Sequence, residues 1–486
     1  MSAFQLAVLQ VSVAPESREV MVGAAMPVHV TLTNGGEAAL QVPDTLAFSE
    51  FEFHLRPSGG RGEARKLSAR FAQFERNPDP LPPPPKMTRP LPPGEKIEYV
   101  ENLANYATRP LDAGQYLLSV VFDGAYGRLE SAPTPVAVVA PRVSALATAV
   151  GDQTILGTVF AHLTASGEPV IYQRESVIGR PDDGVAYQRF GSPALKAVAA
   201  AVKLSERPIT RWFGWLQGDA IAGGAGEEHA LVAHIEPVPL GLKSSTLQSV
   251  GWQPSVESAT FAAVGADAQN RVALALVTFQ VEGTGSVKTV RLAMPTIPVR
   301  WAARYHPQDA GGRYDVVTAS NYGRAVLLQR HAVSSAAGTA DPPVILTERE
   351  EPLAALALAP LAGTGAGAVD VLFGPAGGDK ARMTFLRLSL DGGKPLARWT
   401  FSAPADAQKK TPTAWAIAPT PDPVVLAKLG DHLLVRRASS PPGWVPFMDG
   451  AAGAEHLRLE VLRDGSMWAI WADAAHGIRY KQVELR

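Results

Sequence analysis

Apolar residues recur at every second position along much of this chain. Val28, Val30 and Leu32 alternate with His29, Thr31 and Thr33 before Asn34-Gly35-Gly36, which predicts a half-buried strand running into a turn. Phe51, Phe53 and Leu55 alternate with Glu52 and His54, and Pro57 with Gly59-Gly60 ends that strand. Ile97 and Tyr99 continue the pattern, as does Phe122, and Asp123-Gly124-Ala125-Tyr126-Gly127 predicts a hairpin. Residues 130–139 read as a final strand whose Pro133 and Pro135 suit a sheet edge. Residues 1–6 read as a first strand, not a signal peptide, because no basic segment precedes their apolar positions.

Further along, the pattern becomes a repeat, clearest at residues 352–401. Residues 353–359 are an apolar run suited to a strand buried on both faces. Pro360, Gly363, Gly365 and Gly367 stop it, and 368–373 predict a second strand. Gly377-Gly378-Asp379-Lys380 predicts a hairpin turn, and 381–390 a mixed strand with Arg382 and Arg387 among Met383, Phe385 and Leu388. Asp391-Gly392-Gly393 is another turn, and 396–401 close the unit. The glycines at 363–367 suggest a dinucleotide loop, but that fingerprint needs a helix next, and the β-type run 369–373 follows. Four strands in about 50 residues is a β-propeller repeat.

Comparable strand sets fall at 145–173, 194–235, 246–293, 299–347 and 415–447, and a set of three at 456–485 ends the chain. Roughly 345 residues at about 50 per blade predicts seven blades, with six as the alternative. A strand near 168–173 is a candidate for closing the last blade, and the alanine-rich 194–204 reads either as a strand or as a short helix. A string of sandwiches and a β-helix are the competing folds; tight hairpins and repeat length favour the propeller.

Pro141-Arg142 marks the boundary between a sandwich at 1–140 and a propeller at 141–486. Leu111-Asp112-Ala113-Gly114-Gln115-Tyr116-Leu117-Leu118 resembles the start of strand F in immunoglobulin-type domains. The resemblance implies a tyrosine corner at Tyr116, with Asp112 and Gly114 shaping it and Leu118 in place of the disulfide cysteine. Leu91-Pro92-Pro93-Gly94-Glu95 followed by this stretch is similar to bacterial immunoglobulin-like accessory domains. The proline-rich loop near 78–93 contains four consecutive prolines at 82–85, which read as a stiff surface loop or as a polyproline ligand for an aromatic groove. The expected fold class is therefore all-β, an Ig-like β-sandwich followed by a β-propeller.

Composition narrows the function classes. A net charge of −1 gives no basic excess for nucleic acid, and no run of apolar residues is long enough for membrane insertion as a helix. With no cysteine, disulfides, thiolate-ligated zinc and a cysteine nucleophile are excluded. A cytoplasmic location is expected, because residues 1–6 do not read as a signal peptide, with release inside a particle or by non-classical export left open.

Catalytic signatures are missing: no His-Glu-x-x-His, no Gly-x-Ser-x-Gly and no P-loop. His229 and His234 are five apart and fall on opposite strand faces, so no metal is expected, and no cofactor either. Ser389-Leu390-Asp391-Gly392-Gly393 partly resembles the sialidase Asp box, a folding element with no catalytic group, and its tryptophan is displaced to Trp399. Arg300, Arg304, Tyr305, Asp315 and Arg324 share one predicted blade and read mainly as surface and rim residues. Among the tryptophans, Trp212 with Trp215 and Trp468 with Trp471 are three apart, so at most one of each pair faces the inter-blade core if the run is a strand and the other is a candidate surface anchor, although core packing is the first reading of the tryptophans as a set. Candidate binding residues are Trp444, Trp215, Trp471, Arg304 and Tyr305.

The expected function is a non-catalytic binding or scaffold protein, a structural or receptor-binding component of a larger bacterial or tail-like assembly. Its expected partners are other proteins. The alternative is a propeller that binds or cleaves a glycan.

Overall fold

The computed structural model describes residues 9–485 apart from 23, 25, 45–50, 60–63, 68–87, 107–110, 125, 141, 151–154, 166–168, 178–187, 191–199, 205–209, 228–229, 251–256, 284, 307–311, 360–366, 375–381, 406–410, 440–442, 463 and 474–476. The expected first strand at 1–6, the prolines at 78–85 and the glycines at 363–365 lie outside the described residues. The fold is all-β, with one short 3-10 turn at Leu103–Tyr106 among the described residues. The chain divides into two compact units. One is Met1–Pro141 with Arg180–Arg189 and Ala475–Gly477; the other is Arg142–Gly179, Phe190–Ala474 and Ile478–Arg486.

In the first unit, Pro27–Asn34 lies between Leu9–Pro15 and Lys96–Asn102 in an antiparallel sheet. Its burial alternates residue by residue, and Val28, Val30 and Leu32 are fully buried. A second sheet runs Glu19–Met21, Thr134–Val139, Gly114–Gly124, Phe51–Pro57 and Arg65–Leu67, and Gly127–Glu130 pairs with Gly114–Gly124. The single strand expected at 130–139 is two strands, Gly127–Glu130 and Thr134–Val139. They break where Ser131 Oγ accepts the Val120 N–H at 3.0 Å, a side-chain bond that replaces a ladder bond. Pro135 is tolerated because the neighbouring Glu19–Met21 begins to pair only at Ala137. The Tyr116 hydroxyl donates to the Asp112 carbonyl at 2.9 Å, and Leu118 is fully buried between Leu55 and Thr134.

The second unit is a succession of antiparallel meanders. Their starting strands are Val143–Val150, Ala200–Leu204, Lys243–Ser249, Arg300–Tyr305, Leu353–Leu358, Ala414–Ala418 and Ala454–Val461. Each starting strand contacts the next, and the last contacts the first, so they form a closed circuit. Sheets arranged around such a circuit, packed face to face, have a propeller architecture. The meander of Leu353–Leu358, Ala368–Phe373, Arg382–Ser389 and Pro395–Ser402 follows the order expected from the repeat.

Hydrophobic cores lie between successive sheets. Phe261 and Ala263 pack with Trp212 and Ile221 of the preceding sheet, while Ala262 and Val264 on the opposite face pack with Trp301 and Val316 of the following one. Central strands are therefore buried on both faces, as in Ala368–Phe373, where every residue is buried. Close packing also explains the glycine-rich strand Ala220–Glu227. A Cβ on Gly223 would sit 2.4 Å from the Phe213 carbonyl and 2.5 Å from the Phe279 ring.

One open reading is decided and one expectation is corrected. Ala200–Leu204 is a strand, because it pairs with residues 211–215, and ladder bonds outweigh the helix propensity of its alanines. The segment near 168–173 belongs to Pro169–Val177, which pairs with Ile155–Leu163 of its own sheet and does not join the last one. The last sheet has three strands among the described residues, Ala454–Val461, Met467–Asp473 and Gly477–Gln482.

Candidate binding site

Between the sheets that start at Leu353 and Ala414, an open cleft of about 580 Å³ is lined by Phe401, Pro404, Leu434, Arg436 and Trp444 among others. Phe401 comes from the last strand of one sheet, and Arg436 from the third strand of the next. Trp444 directly precedes the outermost strand Val445–Met448. Trp444 is half-buried, and its indole N–H donates to the Ser402 carbonyl at 2.9 Å. Its ring meets Phe401 edge-on at 6.0 Å and tilts against Trp415 at 5.9 Å. The Arg436 guanidinium lies 4.2 Å from the Phe401 ring centre, a cation–π contact, and burial lowers its pKa. The cleft thus offers a fixed aromatic wall beside a desolvated positive charge. Such a surface suits groups with an apolar face and a polar edge.

Three outermost strands each carry an exposed apolar residue. Ile345, Leu396 and Val445 are 58%, 55% and 48% exposed, and each lies on the outermost strand of one of three successive sheets. Edge strands normally carry charge or proline to discourage pairing with other chains.

A second constellation is buried. Asp315, 1% exposed, accepts from Arg304 Nη2 at 3.2 Å and Arg330 Nε at 2.7 Å, and pairs with His306 Nε2 at 2.5 Å. Arg304 also donates to the Ala359 carbonyl at 3.0 Å, and Arg330 to the Leu390 carbonyl at 3.3 Å, both in the next sheet. Burial pushes the Asp315 carboxyl up, but Arg330 and His306 outweigh it, and the net shift is down. Arg387 repeats the device one sheet on, gripping Asp370 at 2.7 and 2.6 Å and donating to the Thr420 and Pro421 carbonyls. These ions tie neighbouring sheets together; the carboxylates are saturated by arginine.

The five candidate binding residues therefore fall in different places. Trp444 lines the cleft. Trp215 and Trp471 are each 1% exposed and are corrected from surface anchors to core residues. Both lie on second strands, which are flanked by sheets on both sides, so Trp212 and Trp215 are buried on opposite faces. Arg304, 7% exposed, is corrected from a rim residue to part of the Asp315 network, and Tyr305 packs against Tyr314 at 5.1 Å. Of the other residues in that blade, Arg300 and Arg324 are exposed. Phe401 and Arg436 were missed because nothing local pairs residues from different sheets. Among the described residues, no group of three His, Asp or Glu could hold a metal ion, and no helix is long and apolar enough to cross a membrane.

No family model matches the chain, and no curated protein matches it. Solved structures similar to it include Saccharomyces cerevisiae Sqt1, with 9% identity and a TM-score of 0.39 over 71% of this chain and 85% of that one. The β-propeller domain of Myceliophteria thermophila Cps50 (Swd1) has 10% identity and a TM-score of 0.37 over 69% and 98%. A Penicillium chrysogenum α-L-arabinanase complexed with arabinobiose has 10% identity and a TM-score of 0.37 over 60% and 93%. Likenesses this distant carry no functional argument, and the architecture rests on sheet order and contacts.

Proposed function

We propose that this chain is a non-catalytic binding protein, an Ig-like sandwich joined to a seven-bladed propeller, that docks on other proteins within a larger assembly. The tyrosine-corner bond from Tyr116 to Asp112 supports the Ig-like assignment, and the circuit of starting strands supports seven blades. The observation that carries the functional reading is the exposed series Ile345, Leu396 and Val445 on three consecutive outer edges. Single exposed apolar residues are ordinary, but a series along adjacent sheet edges is a surface that a partner covers. The Trp444 cleft, next to Val445 in the chain, supplies an anchor.

The test compares affinity capture from the source cells by wild type and by Ile345→Glu/Leu396→Glu/Val445→Glu, with native sizing of both. The expected result is a stoichiometric partner with wild type, absent with the triple variant. Equal capture by a folded triple variant would overturn the rim assignment. The glycan reading takes its support from the aromatic wall of the cleft; its mark would be glycan-array binding lost in Trp444→Ala while protein capture is absent.

A further inference from the structure

Pro395–Ser402 is the last strand of its sheet, and no strand pairs with its outer side among the described residues. The alternation of ladder bonds decides which backbone groups that side carries. In the neighbouring strand Arg382–Ser389, the Ser389 N–H donates to the Lys394 carbonyl at 2.9 Å, whereas the next residue, Leu390, donates the other way, to the Gly367 carbonyl at 2.9 Å. Stepping back by two, Arg387, Phe385 and Met383 bond to their register partners Ala397, Trp399 and Phe401. Arg398, Thr400 and Ser402 therefore turn their N–H and carbonyl groups outward. The Ser402 carbonyl agrees, since it accepts from Trp444 of the next sheet at 2.9 Å.

This edge is protected only at its start. Pro395 lacks an N–H, and the register shifts at Leu396, a bulge. From Arg398 to Ser402 the register is regular. Thr400 is exposed and lines the cleft of about 580 Å³ together with Phe401, Ser402, Arg436 and Trp444. A row of outward donors and acceptors along a cleft with an aromatic wall suits strand addition, in which the main chain gives affinity and alternate side chains give specificity. Trp399 and Phe401 face the next sheet, so Arg398 and Thr400 face the opposite side.

Charge selects the occupant. Lys394 and Arg398 are exposed on this edge, and Arg382, the register partner of Ser402, is exposed beside it. Thr384, the partner of Thr400, brings Glu351 to this end of the sheet at 3.5 Å, but that carboxylate is held by Arg349 Nη2 at 2.7 Å. Asp391 is paired with Arg330 at 3.2 Å.

We propose that an extended acidic segment of a partner protein adds to residues 398–402 as an antiparallel outer strand. An apolar side chain opposite Phe401 enters the cleft against Trp444, and a carboxylate opposite Arg398 pairs with it. The inference rests on the rim as a protein-docking surface and names the form and chemistry of what docks there.

Fluorescence anisotropy of a labelled octapeptide, acetyl-Thr-Thr-Phe-Thr-Val-Glu-Thr-Thr-amide, titrated with the full chain, tests this. Its phenylalanine falls opposite Phe401 and its glutamate opposite Arg398, and saturable binding is expected. N-methylation of the threonine between phenylalanine and valine removes the N–H that meets the Thr400 carbonyl and should weaken binding by about tenfold or more. N-methylation of the phenylalanine, whose N–H points away from the edge, should change it by less than about threefold. Thr400→Pro deletes an outward N–H and no ladder bond, so it should weaken binding as strongly, while Thr400→Val should not; a role for the hydroxyl alone predicts the reverse. Arg398→Glu should weaken the glutamate peptide and favour its lysine counterpart. Circular dichroism checks that each variant is folded. Absence of saturable binding in the low millimolar range would overturn the proposal, as would equal affinity of the two N-methylated peptides, a comparison that needs no variant to fold. A full-chain dimer that dissociates in Thr400→Pro would assign the edge to a second copy and overturn the acidic segment. Partner capture that depends on Ile345, Leu396 and Val445, with no peptide binding, would remove strand addition alone and leave the docking surface in place.

Discussion

Replacing Asp315 by asparagine removes one negative charge and almost no volume from the network that joins two neighbouring sheets. Arg304 at 3.2 Å and Arg330 at 2.7 Å then lose their shared carboxylate. At an effective dielectric of about 20, each pair at roughly 4 Å is worth about 4 kcal/mol of attraction before desolvation is charged against it. Breaking a buried pair by removing one partner costs about 3–5 kcal/mol, because the remaining charges stay buried. We therefore expect Asp315→Asn to destabilise the second unit by about 3–5 kcal/mol. All nine tryptophans lie between Trp212 and Trp471, so tryptophan fluorescence during urea unfolding reports that unit alone. With an m-value on the order of 3 kcal/mol/M, the midpoint should fall by about 1–2 M. The folded-state pKa of Asp315 is lowered, so its contribution is complete above the unfolded carboxylate pKa and is lost as pH falls through the folded value. The gap between wild type and variant should therefore close in acid. A midpoint shift below about 0.3 M at neutral pH, under 1 kcal/mol on that m-value, would refute the reasoning.

Three further outcomes are expected. Burial lowers the His331 pKa to about 4, and burial, with a smaller push from Arg142, lowers His162 to about 4 as well. The unfolded chain takes up these protons first, so stability is full above about pH 6.5 and is lost toward pH 4, on the order of 3 kcal/mol per histidine; a folded His331→Leu should show a shallower midpoint-against-pH slope, and an unchanged slope would remove His331 from the account. Gly393 has φ +69°, and a Cβ there would sit 2.2 Å from the Leu346 carbonyl, so Gly393→Ala should cost about 2 kcal/mol or more in the same urea assay, and a neutral effect would contradict the turn geometry. Tyr116→Phe removes the hydroxyl bond to Asp112 and should cost the first unit about 1 kcal/mol, read by circular dichroism after tryptophan fluorescence has reported the other unit.

The order of the meanders was written locally. Alternation at Val28, Val30 and Leu32 and the turn at Asp391-Gly392-Gly393 depend on neighbours a few residues away, and that range suffices for an all-β chain of short strands. Burial was not local. Trp212 and Trp215 point to opposite faces of one strand, and period-two reasoning exposes one of them; both are buried because a sheet packs on each side. Arg304 reads as a rim charge until Asp315, eleven residues away, and Ala359, fifty-five away, are brought to it. The same holds for the Trp444 cleft, whose Ser402 carbonyl is forty-two residues distant, and for Thr148 and Glu460, which meet across 312 residues of chain. The sequence by itself determined strands, turns and the repeat, because hydrophobic period and turn chemistry act within a strand and its hairpin. Which charges are paired and which aromatics are hidden was decided only by the tertiary structure, since each depends on the face of a different sheet.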